Sequence, residues 1–155
     1  MKKVLVPFVL VALVATVAAG CGGGGSSKNK AYANSVSGYA AALDSICAPL
    51  NAKIKAIGAT GLAGIAAHGD EIKATIQTGV DKIDKLQPPD QVKSAADDFV
   101  AKNKEAIGKF DDLIAAAKAG DSAKAQKIAQ EIVALDNTTN QDARSIGAAY
   151  CAHGG

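Results

Sequence analysis

Four runs in which apolar residues return every three or four positions, the first three closed by glycine or proline, restrict this chain to packed helices. In the first run Tyr39, Leu43, Ile46, Leu50, Ile54 and Ile57 share one helical face, with Ser37 as a candidate cap and Gly58 as the stop. Pro49 falls inside it, and an interior proline removes a hydrogen bond at about 3 kcal/mol, so a kink there or a start nearer Asp44 is expected. The second run carries Ile72, Ile76, Val80, Ile83 and Leu86 and closes at Gln87-Pro88-Pro89. Its start is open between Thr60 and Asp70, because Gly58 to Gly69 holds four glycines. Pro89 suits the first turn of a third helix through Ala96, Phe99, Ile107 and Ile114 to Gly120. Asp121 caps a fourth, expected to run about 30 residues through Ile128, Ala143 and Ile146 to Tyr150. Tryptophan is absent, alanine, lysine and aspartate abound, and no stretch alternates as a strand would. The expected fold is all-α, an antiparallel up-down-up-down four-helix bundle spanning residues 37–155.

What precedes the bundle is of another kind. Met1-Lys2-Lys3 is followed by an uncharged stretch from Val4 to Ala19 that ends in small residues, the layout of an export signal over residues 1–20. The stretch is shorter than the roughly 20 apolar residues a membrane span needs, and it contains Pro7, so a permanent transmembrane helix is the weaker reading. Val17-Ala18-Ala19-Gly20-Cys21 resembles the lipobox of bacterial lipoproteins. The resemblance implies that lipid is attached to the Cys21 thiol, that the peptide is cut before it, and that acyl chains such as palmitate anchor the mature N-terminus. One acyl chain holds a protein to a bilayer only marginally, whereas two, at about 0.8 kcal/mol per buried CH2, hold it durably. Residues 21–36, rich in glycine and serine, are then a tether between anchor and domain. Ordinary secretion with a leftover thiol is the alternative.

With Lys2 and Lys3 removed, 15 basic residues face 15 acidic ones, and Arg144 is the one arginine. No basic cluster exists to meet nucleic-acid phosphates, so nucleic acid is not expected as a partner. Cys47 and Cys151 form an even pair in an exported chain, which makes a disulfide the default and two free thiols the alternative. A bridge there requires Gly58 to stop below the top of the bundle and the glycine-rich stretch to Gly69 to climb the rest. A thioredoxin-type redox role lacks its Cys-x-x-Cys pair.

Catalytic and cofactor chemistry finds few residues to work with. Neither His68 nor His153 follows a glutamate by three, as a di-iron bundle requires, and haem attachment and phosphate-loop motifs are missing. His68-Gly69-Asp70-Glu71 reads as a loop histidine before an acidic first helical turn rather than a metal site. Asp97-Asp98 and Asp111-Asp112 are adjacent pairs whose side chains diverge on a helix, and read as solvated surface. Asn103 and Thr139 interrupt apolar faces, either to fix helix register or to line a cavity, with register the favoured reading. No catalytic residue, metal ligand or cofactor is therefore assigned.

Ser45-Ile46-Cys47, Leu86-Gln87-Pro88-Pro89, Ala119-Gly120-Asp121 and Cys151 are also similar to features of small, alanine-rich lipoproteins of actinobacterial type, a group without an assigned function. The expectation is a non-enzymatic binding or interaction module held by the lipid on Cys21 at the outer face of the cytoplasmic membrane, meeting an envelope protein or component. The second reading is a carrier of a small apolar ligand, with Ala95, Ala96, Ala106 and Gly108 leaving space between helices.

Overall fold

Ser35, not Ser37, opens the first helix: its hydroxyl accepts from the Gly38 amide at 3.1 Å, satisfying one of the donors a helix start leaves free. The computed structural model describes residues 35–152, so the expected export signal, Cys21, most of the expected tether and His153 lie outside the described residues. Four helices follow in order, α1 Val36–Ile57, α2 Gly61–Ile83, α3 Lys93–Lys118 and α4 Ser122–Ile146. Consecutive helices pack against each other as antiparallel neighbours, giving the up-down-up-down bundle. No helix among the described residues is long and apolar enough to cross a membrane.

The ends of the helices follow their punctuation with three departures. α1 runs unbroken through Pro49, which overturns a start near Asp44; Pro49 and Ser45 are both exposed, so water takes the carbonyl that the missing N–H leaves. The link after α1 is only Gly58–Thr60, with Gly58 left-handed at φ 64°, and Gly61–Gly69 is helix rather than a climbing loop. Asp90–Val92 forms a 3-10 turn before α3, so Pro89 precedes that turn and not the α-helix itself.

A fourth departure changes the architecture. α4 stops at Ile146 because Gly147 adopts φ 87°, and the Ala148 amide returns to the Ala143 carbonyl at 2.9 Å, a left-handed helix stop. Residues 148–152 then turn back along α1 as a short hook. Tyr150, expected on the buried stripe, is 61% exposed as a result. Cys151 on the hook bonds to Cys47 in mid-α1, with Cα atoms 5.2 Å apart and 104 positions between them.

The core is divided. A lower cluster draws on all four helices and the hook, with Leu43 and Ile146 fully buried beside Phe99 and Ala143. An upper cluster of Leu113, Ala116, Ala125 and Ile128, with Leu62 and Ile65 against it, takes residues from α2, α3 and α4 and none from α1. Thus α1 stops short, as expected from the position of Cys47. Thr75, on α2, has a buried hydroxyl with no protein partner among the described residues.

Two glycines set helix spacing. A Cβ on Gly69 would lie 2.5 Å from the Ile114 Cγ1, and one on Gly79 would lie 2.6 Å from a terminal methyl of Leu50. Ile114 is buried on α3 and has no room to retreat, whereas the tip of half-buried Leu50 can rotate away. Gly108, by contrast, sits in mid-α3 facing open space. Gly108→Ala is expected to stabilise by about 0.5–1 kcal/mol through helix propensity, and Gly69→Ala to destabilise by about 1–2 kcal/mol net. Gly79→Ala should fall between them. Urea denaturation of the three variants checks that order.

Candidate functional site

The two core clusters leave space between them, at the level where Asn103 and Thr139 interrupt the apolar stripes. A cleft of about 520 Å³ opens there between the upper half of α1 and the other three helices. Its apolar walls come from Leu50 and Ile54 on α1, Ile76 and Val80 on α2 and Phe99 on α3, and Cys47 and Cys151 also border it. It exists because α1 meets α4 only in the lower cluster and ends before the upper cluster begins. A smaller chamber of about 130 Å³, bounded by Ala106, Phe110 and Ile132, adjoins the cleft. Ile76, Asn103, Asp136 and Thr139 border both spaces and form the neck between them.

The polar side chains of the neck satisfy themselves within their own helices. The Asn103 Nδ2 donates to the Phe99 carbonyl at 2.8 Å, and the Thr139 hydroxyl donates to the Leu135 carbonyl at 2.8 Å. The favoured expectation for these two residues was register, which requires bonds from one helix to another. The structure corrects it, since both bonds stay within one helix and both residues border the cavity. Asn140 Nδ2 donates to Asp136 Oδ2 at 3.0 Å, one turn away on the same helix.

The hook that forms the floor is fastened by a residue the sequence reading passed over. One Asp44 oxygen accepts from the Tyr150 amide at 2.8 Å and the Cys151 amide at 3.3 Å, and the other accepts from the Ala149 amide at 3.1 Å. A carboxylate facing three consecutive amides acts as a cap on the hook's single turn. Asn51 Nδ2 adds a bond to the Tyr150 carbonyl at 3.0 Å. The signal was faint: an aspartate three residues before Cys47, with Asn51 four residues after that cysteine on the same face of the helix. Asp44→Ala is expected to cost about 1–2 kcal/mol and to speed reduction of the disulfide, both measurable by denaturation with and without a thiol.

The other candidates named from sequence do not converge on the cleft. His68 and Glu71 are exposed in mid-α2, not in a loop before a first turn, and Asp70 pairs with Lys118 at 2.7 Å. Asp97 pairs with Lys93, Asp111 with Lys73, and all four residues of the acidic pairs are exposed. Among the described residues no group of three or more histidine, cysteine or acidic side chains is placed to hold a metal. Of the four small residues expected to make room for a ligand, only Ala106 borders the chamber; Ala96 packs in the lower cluster with Ala95 against it, and Gly108 faces solvent.

Shifted ionisations also lie elsewhere. Burial, and after it the charge of Asp97, raises the pKa of the Tyr39 phenol at the base. On the outer face the hydrogen bond and charge of Glu131 raise that of Lys109, and Lys109 lowers that of Glu131 in the same way. No protein-family model, curated protein or solved structure matches this chain. The reading of function accordingly rests on the cleft.

Proposed function

We propose that this protein is a lipoprotein of the cell envelope, tethered through lipid on Cys21 to the outer face of the cytoplasmic membrane, and that it works by binding rather than catalysis. Its ligand is a small, largely apolar molecule taken into the cleft. The observation that carries this reading is an open cleft of about 520 Å³, lined by aliphatic and aromatic side chains beside a set of polar ones, within the range of small-molecule sites. A flat interaction surface finds less support, since Val133 and Tyr150 are the exposed large apolar residues among those described. The tether places the cleft beside the bilayer, where apolar molecules partition and where a carrier would collect or deliver them.

The two parts of the reading are tested separately. Cys21→Ser is expected to move the protein from the membrane fraction to the soluble fraction without changing its melting temperature; retention on membranes overturns the anchor. For the cleft, the neutral dye N-phenyl-1-naphthylamine should bind with one-to-one stoichiometry and gain fluorescence. Ile76→Trp and Ile54→Trp, which fill the cleft from α2 and α1, should each weaken the dye at least about tenfold, or about 1.4 kcal/mol. Undiminished dye binding in both variants overturns the cleft as the site.

A further inference from the structure

The neck is the polar part of the cleft, and its one charged side chain, Asp136, is negative. Thr139 commits its single donor inside the protein, and Asn103 and Asn140 each commit one of two amide N–H groups. Among the described residues, no bond is made to Asn103 Oδ1, Asn140 Oδ1 or the second oxygen of Asp136, and the Thr139 oxygen keeps its lone pairs. These acceptors gather on one wall, formed by α3 and α4. Lys73, which also borders the chamber, has its ammonium held by Asp111. The remaining cation at the cleft, Lys55, is exposed on α1, across from that wall.

Resting on the cleft reading, we propose that the ligand is an amphipath whose head group donates hydrogen bonds and carries no negative charge, a long-chain alcohol or amine. Its head sits on Asn103, Asp136 and Thr139, and its chain lies along Leu50, Ile54, Val80 and Phe99. A donor reaching Thr139, only 6% exposed, meets an acceptor largely shielded from water, where a hydrogen bond counts for more than at a solvated rim. An anionic head would face the Asp136 carboxylate and several carbonyl-type oxygens and would find its counter-charge only at hydrated Lys55.

Displacement of N-phenyl-1-naphthylamine by 1-decanol, decylammonium and decanoate tests the assignment, using the chain from residue 21 with Cys21→Ser so that no detergent competes. The alcohol and the amine are expected to displace the dye at concentrations at least about tenfold below decanoate, a factor large enough to read as a head-group preference. Because decanol is also the most apolar of the three, the deciding result is what the wall variants do. Asn103→Leu should weaken the alcohol and the amine by about three- to tenfold each, the effect of losing one hydrogen bond. Asp136→Ala, at an exposed position where folding is not at risk, should weaken the amine most and leave decanoate unchanged or improved. Decanoate binding as tightly as the others, and lost on Lys55→Gln, overturns the proposal by placing the head at the mouth. Equal displacement by all three, or variants that leave the order intact, overturns the head-group assignment while the cleft reading stands. Failure of all three probes to displace the dye overturns the amphipath assignment, and the cleft reading is then decided by the two Trp variants alone.

Discussion

Replacing Cys47 and Cys151 together with alanine is expected to lower the stability of the domain by about 4–5 kcal/mol, a drop in melting temperature of roughly 15 °C. The bridge joins residues 104 positions apart, so it encloses nearly the whole described chain and restricts the unfolded state accordingly. In the folded state both cysteines are buried, at 5% and 8% exposure, within the lower cluster, so their removal also loosens packing. Asp44 and Asn51 still hold the hook when the bridge is gone, so the hook should stay docked on α1 and the bundle should not come apart at once. Thermal unfolding of the wild type with and without a dithiol should reproduce the loss seen in the double variant. A shift of less than about 3 °C, under 1 kcal/mol for a domain of this size, would count against a stabilising role for the bridge.

Leu43→Ala should cost about 3–5 kcal/mol, the upper part of the range for a buried leucine. Leu43 is wholly buried at the centre of the lower cluster, where α1, α4 and the hook converge, and the disulfide one turn away prevents the neighbours from collapsing into the hole. The upper cluster lacks α1 entirely and should retain its structure longer. Hydrogen exchange on the variant is expected to show early loss of protection in α1 and the last turn of α4, with α2 and α3 near Leu113 protected for longer. Because Leu43 and Cys47 lie in one cluster, combining the two changes should give less than the sum of their separate costs. Uniform loss of protection would show that the two clusters unfold as a unit.

Much of the fold is legible in residues close together in the chain. Ser35, Asp121, Gly58 and Gly147 act within a turn of where they stand, by capping amides or by accepting a left-handed conformation that other residues resist. The apolar stripes needed only the helical period to be seen. The errors came where a local signal had two outcomes of similar energy. Gly64 and Gly69 disfavour a helix by about 1 kcal/mol each, yet α2 extends through them because Gly69 lets Ile114 approach so closely. Gly147 had been passed over as one small residue within a long stripe, although it ends α4 and sends Tyr150 outward.

The candidate site was much less legible. Asn103 and Thr139 were visible as polar breaks, but whether such a break meets a partner or a void depends on residues on other helices. Asp44 was invisible for the same reason, since its three amides lie more than 100 positions away.

Sequence alone therefore determined the helices, their order, their antiparallel arrangement and the pairing of the two cysteines, because each follows from periodicity, capping or a count of thiols. Only the tertiary structure decided how far apart the helices stand. That spacing comes from contacts between distant segments, Leu50 on Gly79, Ile114 on Gly69 and the hook on Asp44, and it leaves a cleft between the upper half of α1 and the other three helices.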